Sequence, residues 1–580
     1  MSPVDWVVLL GSLFFIVVYG TFRNRHHKDL DSYLLASRGA SWRTIAVSIM
    51  ATQASAITFL STPGLAYVDG MRFVQFYLGL PVAMVVLSIT AVPVYARLKV
   101  YTAYEYLEKR FDLKTRTLAT FLFLVPRALS TGVSIYATSI VLSVLLGWNI
   151  YVTNTVIGGL VIVYTASGGA RAVNWTQSHQ FAICILGMAA AFVVIVHRLP
   201  ADVSFLEATQ VAGKLGRLKA IDFAFDPKDR YNFWSGLVGG FFLQLSYFGT
   251  DQSQVGRYLG GRSTTESRLG LLFNGLVKIP MQFGILFLGV MVYVFYQFNA
   301  PPVLFNPVEV AKARSGPQAA AFRQIEERHA AAFEARRTAT RDVIDALRAK
   351  DDVRLEGART TLVGKERDLK AVRTDAVKVA KASTDTNYIF LTFVLRYLPA
   401  GLVGLIVAVV FAASMSSNSA ALNALASTTV VDVYGRLIRK GKADAHYVRV
   451  SKLATVFWGL LAIAFAQFSN RLGTLIEVVN ILGSLFYGTI LGVFLLAFYF
   501  KRVGGTATFV GAIAGEIAVV LCWAFSPLAF LWYNVVGCGL TIAVALLYGA
   551  VRGPRTGSGP VSVVYASALH PARRDGPSRS

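Results

Sequence analysis

The fold class that this sequence predicts is an all-α polytopic membrane protein, and three observations predict it. Of 580 residues, 55% are apolar and only 15% charged, whereas soluble chains carry about a quarter charged residues. Apolar stretches of about 20 residues, enough to cross the roughly 30 Å hydrocarbon layer, recur along almost the whole length. Lys and Arg gather in the short loops between them, as positive-inside loops do. The formal charge of +24 is therefore read as loop charge. No groove-reading element points to nucleic acid.

Taken in order, about 13 candidate spans lie near 4–21, 43–67, 71–98, 116–147, 150–168, 175–198, 233–254, 267–297, 400–434, 447–466, 473–500, 506–526 and 529–551. The first lacks a basic n-region and a clear small-residue cleavage site, so it reads as a retained span. Cys184, Cys522 and Cys538 sit in apolar stretches and read as small buried hydrophobes; no disulfide or metal spacing exists. Arg23, Arg25 and Lys28 follow the first span; Arg97, Lys99, Lys109, Arg110, Lys114 and Arg116 follow the third. Arg436, Arg439, Lys440 and Lys442 follow the ninth, and Lys501 with Arg502 the eleventh. Alternating spans put all of these on one side, the cytoplasm. The expectation is a multi-pass plasma- or inner-membrane protein, N-terminus outside and C-terminus inside. The stretch 553–580, rich in Gly, Pro, Ser and Arg, reads as a disordered cytoplasmic tail.

Between spans eight and nine the composition changes. From 307 to 385 the chain is rich in Ala, Arg, Glu, Lys and Asp, with no Pro after Pro317. It reads as two polar helices joined near Lys350–Val353, an external hairpin. Phe322, Ile325, Phe333, Val343 and Leu347, then Leu355, Leu362, Leu369 and Val372, supply one weak antiparallel seam. Two readings stand side by side: a docking arm for a protein partner or second protomer, and a solvated insertion.

Two spans are wrong for plain lipid-facing helices. Span two runs through Met50, Thr52, Gln53, Ser55 and Thr58 to Ser61, Thr62, Pro63 and Gly64; span seven carries Gln244, Ser246, Tyr247, Gly249, Thr250, Asp251 and Gln252. Polar and helix-interrupting residues at membrane depth are tolerated where they line a cavity or face protein. Two interrupted helices at corresponding places in two halves point to a transporter site, and these lie five spans apart. Span nine adds Ser414, Ser416, Ser417 and Ser419. Intramembrane hydroxyls often bond back to their own helix or to a neighbour. Four in six residues, beside a broken helix, fit a hard monovalent cation better, with Ser416, Ser417 and unwound carbonyls of span two as ligands.

Several motifs together resemble the sodium:solute symporter family. They are Ser32 to Gly39, Tyr104 to Phe111, Tyr164 to Thr176, Thr250 to Gln252 with Arg257, and Asp432 to Tyr434. Apart from 307–385 and the tail, the resemblance covers nearly the whole chain. It implies a leucine-transporter-type fold of two inverted five-helix repeats working by alternating access. The repeats would be 43–198, and 233–306 continued by 386–500 after the insertion; 1–22 and 506–551 would hold peripheral helices. It also implies a sodium ion at Ala51, Ala54, Ala413, Ser416 and Ser417. A second sodium site of some members falls on Ser419, Ala420 and Gln177, where an alanine and an amide replace a hydroxyl and an acid. One sodium per solute is therefore expected, with no other cofactor.

Resemblance to the sodium/galactose branch implies a solute pocket of Gln53, Thr58, Tyr77, Gln244, Lys278 and Asn480, with Tyr247 as an inner gate. Tyr77 and Thr58 stand where that branch has acid and amide sugar contacts, which argues against a sugar. Lys278 and Arg127 lie inside apolar spans, and intramembrane charges are functional hypotheses by default. Either suits a carboxylate; either also suits snorkelling or a pair with Asp251 or Glu477. The expected function is sodium-coupled import of a small organic anion such as a monocarboxylate, with sugar or amino acid as alternatives. Proton coupling is disfavoured because no buried carboxylate clearly occupies the ion site. A sensor or scaffold using the hairpin is the different-class alternative. No metal cluster, phosphate loop or catalytic triad points to an enzyme.

Overall fold

A computed structural model describes residues 1–22, 39–53, 55–98, 100–382 and 385–552, with the side chains of 13, 15–22, 167–180 and 470 left aside. Outside it lie Arg23, Arg25, Lys28, residues 32–38, Lys99, Ala54 and the 553–580 tail.

Every long element is helical. Eight segments among the described residues are long and apolar enough to cross a membrane: 56–98, Leu113–Leu146, Thr264–Phe298, 402–438, Asp444–Ala466, Leu475–Tyr499, Gly505–Phe525 and Leu531–Arg552. Shorter apolar stretches cover Pro3–Ser12, Ile150–Ala166 and Phe181–His197. The thirteen expected spans do not map one-to-one onto these. Span two is cut into Trp42–Gln53 and Ala56–Asp69, and span seven into Gly240–Thr250 and Gln252–Leu259, so neither is a single long helix.

The helix from Ile150 to His197 is continuous, and its two apolar stretches, Ile150–Ala166 and Phe181–His197, fall on spans five and six. No proline occurs between those residues, so every position keeps the amide that an α-helix needs. The two glycines at 168 and 169 cost about 1 kcal/mol each without ending it.

The Leu402–Thr428 helix is central. It packs on Trp42–Gln53, Ala56–Asp69, Leu113–Leu146 and Ile150–His197. The Thr264–Phe298 helix lies against both halves of the first broken helix. Glycine permits this closeness: a methyl on Gly289 would collide with the backbone of Pro63. Small residues serve membrane helices in this way.

The polar segment folds into two helices, Ala319–Ala349 and Asp352–Ala380, paired as a hairpin that turns at Lys350, whose φ is +54°. Eight of its nine seam residues are buried; Leu347 is partly so. The hairpin is not a free arm. Arg336 donates to the Tyr296 carbonyl and to Glu366 (3.2 Å), Gln297 donates to Glu366 (2.8 Å), and Arg348 pairs with Glu207 (2.7 Å). These bonds bind it to the end of its own helical bundle.

Candidate solute and ion site

A cavity of about 140 Å³ opens where the two broken helices meet, roughly ten times the space that one water needs. The first break supplies one wall. Trp42–Gln53 stops at Gln53, so the carbonyls of its last turn, that of Ala51 among them, lie beyond the helix's own ladder. The next helix starts at Ala56 with Ser55 as its N-cap, and no side chain caps it. Its amides and the positive end of its dipole therefore face the break. Thr58 Oγ1 donates to the Gln53 carbonyl (2.9 Å) and fixes the kink.

The second break is held differently. Asp251 caps Gln252–Leu259 through the amide and hydroxyl of Ser253 (2.9 and 2.7 Å). Gln252 bridges to the Tyr101 carbonyl (2.8 Å) and accepts from the Ala103 amide (3.2 Å). Tyr104 donates to the Thr250 carbonyl (2.8 Å). The Tyr104 and Thr250–Gln252 motifs thus meet across the fold.

All eight expected solute residues line the cavity: Gln53, Thr58, Tyr77, Arg127, Gln244, Tyr247, Lys278 and Asn480. Gln53 donates to Asn274 Oδ1 (3.1 Å), and Gln254 donates to the Tyr247 hydroxyl (2.7 Å). Asn480 Nδ2 is buried without a partner.

The two cations differ sharply. Arg127 pairs with Asp251, and Tyr487 bonds both, donating to the carboxylate at 2.8 Å. Glu477 is occupied elsewhere, by Arg230 (3.0 Å) and Tyr231 (2.9 Å). Lys278 is 1% exposed and has no carboxylate partner among the described residues; its ammonium lies 5.6 Å from the Tyr77 ring.

Of the hydroxyls on the central helix, Ser414 bonds Thr138 and accepts from Asn418 (3.0 Å). Ser417 donates to the Ser414 carbonyl (3.2 Å), and Ser419 bonds Thr165 (2.7 Å). Within the Ser414–Ser419 run only Ser416, 2% exposed, keeps a buried oxygen with no partner; Thr428, at the far end of the helix, is the other such hydroxyl. Ala51, Ala413 and Ser417 are buried with it on the two facing helices, and Ser417 also lines the cavity. Ala54 is outside the described residues, as is the Gln177 side chain. The sequence reading missed Asn274, Gln254 and Tyr487. Asn274 lies one helical turn before Lys278 and Tyr487 two turns after Asn480, so helical spacing from the predicted residues reaches both.

A family model described as the sodium:solute symporter family matches residues 33–326 and 368–515. The sodium-dependent multivitamin transporter of Oryctolagus cuniculus is 26% identical over 525 residues, 89% of this chain and 69% of that protein. The sodium-coupled monocarboxylate transporter 1 of Xenopus laevis is 24% identical over 88% of this chain and 70% of its own length. A solved Na+-coupled sialic acid symporter, in a substrate-bound outward-open state, superposes with a TM-score of 0.73 at 22% identity, covering 95% of this chain and 99% of its own. That likeness establishes the fold.

Proposed function

Since the chain belongs to the sodium:solute symporter family, and so performs sodium-coupled transport of a small organic solute, we propose that its solute is a small carboxylate, imported with one sodium ion. One observation carries this reading. Lys278 is a buried ammonium on the cavity wall, with no carboxylate partner among the described residues. A charge taken out of water without a partner costs several kcal/mol, and a bound carboxylate supplies that partner. The uncapped start of Ala56–Asp69 favours the same sign of charge. The frog relative is named for monocarboxylates and the solved relative for sialic acid.

Sodium takes the partnerless Ser416 hydroxyl, Ser417 and the carbonyls of Ala51, Ala54 and Ala413. A buried hydroxyl without a bond is costly, and a cation there removes the cost. Ser419 is already bonded to Thr165 and position 420 is alanine, which supports a single sodium.

Mechanistically, sodium holds the first broken helix against the central helix, and the solute then binds between the breaks. The repeats 43–198 and 233–306 with 386–500 rock about that site. Useful coupling requires that each ligand tightens the other's binding. The Lys- and Arg-rich loops orient the protein with the hairpin outside.

Proteoliposome uptake tests the proposal. A panel of small carboxylates, sugars and amino acids is offered in sodium and in choline. Carboxylate uptake in sodium alone is the expected result; uptake of sugar or amino acid without carboxylate overturns the proposal.

A further inference from the structure

A second cavity, of about 1080 Å³, lies where the hairpin meets the end of the bundle. Its floor includes Tyr67, Tyr293 and Thr386, and the Asp352–Ala380 helix forms one side. Eight Lys or Arg side chains line it against three carboxylates. None of those carboxylates is free. Glu366 accepts from Arg336 and Gln297, and Asp385 accepts from Arg373 (3.0 Å) and the Phe305 amide (2.7 Å).

Arg367, Lys370, Lys381 and Arg471 line it as exposed cations with no ion pair to a carboxylate among the described residues. Deeper in, Arg336 is 2% exposed and its Nε has no hydrogen-bond partner. So many like charges around one space repel one another unless an anion joins them. The family match stops at 326 and resumes at 368, so most of the first hairpin helix and part of the second stand outside the family's shared core.

The two cavities are near neighbours. Asn387, next to Thr386 of the basic cavity, donates to the Gly473 carbonyl (3.1 Å) and accepts from the Leu475 amide (3.2 Å). Ile476, the following residue, lines the central cavity. A short bonded segment thus separates them.

We propose that this basic cavity is a second anion site, which takes a small carboxylate at the mouth of the transporter and raises its concentration beside the central cavity. As the class of ligand is shared, this rests on the carboxylate reading of the central site. A field of one sign in a recess raises local counter-ion concentration and capture rates by 10-fold or more, on the order of 10–1000.

The test is backbone hydrogen exchange of the Asp352–Ala380 helix in full-length detergent-solubilised protein, in choline buffer, with pyruvate or with chloride at equal ionic strength. Pyruvate is expected to slow exchange about threefold or more in wild type and in Lys278→Gln alike. The protection is expected to vanish in R367Q/K370Q/K381Q and to survive in R367K/K370R/K381R. Equal protection by chloride, no protection by pyruvate in wild type, or protection persisting in the glutamine triple variant overturns the second site. The carboxylate reading of the central site fails separately, through unchanged pyruvate uptake by Lys278→Gln. Protection of the hairpin in that event still establishes the outer site.

Discussion

Arg127 and Asp251 form an ion pair across the second helix break, and the Tyr487 hydroxyl donates to the same carboxylate at 2.8 Å. Of the two cations on the cavity wall, the protein therefore neutralises Arg127, whereas Lys278 has no carboxylate partner among the described residues and on the proposed reading receives the solute. The distinction divides the predicted mutants into structural and solute-binding classes.

Asp251→Asn leaves the Arg127 guanidinium buried without its anion. Breaking such a pair from one side costs about 3–5 kcal/mol. Chemical unfolding in detergent is expected to show that loss, and the double change Arg127→Met with Asp251→Asn to recover much of it. A double variant as unstable as the sum of the two singles contradicts the pairing.

Ser416 and Ser414 are predicted to separate ion binding from stability. Ser416 has no partner to lose, so Ser416→Ala is expected to raise the sodium concentration for half-maximal uptake while melting in choline falls no lower than in wild type. Ser414→Ala removes the acceptor of Asn418 and leaves Thr138 only the Ser134 carbonyl (3.2 Å), and should cost about 1–3 kcal/mol in sodium and choline alike. Identical behaviour of the two variants contradicts the assignment.

Acid should loosen the hairpin. Burial, and then the charges of Arg373 and Arg336, push His329 from 6.5 down to about 4. The folded state thus holds fewer protons than the unfolded state between those values, so stability is full above about 6.5 and is lost as pH falls toward about 4. Intrinsic-rate-corrected hydrogen exchange of Ala319–Ala349 should be faster at pH 5 than at pH 7, and His329→Phe should remove most of the difference. A wild-type hairpin equally protected at both values refutes this.

The broken helices were legible because the polar runs from Thr52 to Thr58 and from Gln244 to Gln252 are tolerated at membrane depth only where they line a cavity or face protein; Pro63 and Gly64 do not mark the break, since Ala56–Asp69 runs through them. The Ser414–Ser419 run and the hairpin's seam were legible for a similar reason, being local patterns of composition. Partners were not. Whether Arg127 met Asp251 or Glu477 depended on how distant helices pack, and Tyr487 enters only through that packing. The hairpin's attachment through Arg336 and Arg348 was equally invisible, since either residue alone resembles a solvated charge.

The central claim is that Lys278 receives the solute's carboxylate, and sodium-driven pyruvate uptake by Lys278→Gln tests it most directly. Losing one side of a buried charge pair costs about 2–5 kcal/mol. KM should therefore rise by about 30-fold or more, while the solute-free protein melts no lower than wild type, because an unpaired buried charge has been removed. A KM within about twofold of wild type would contradict the claim.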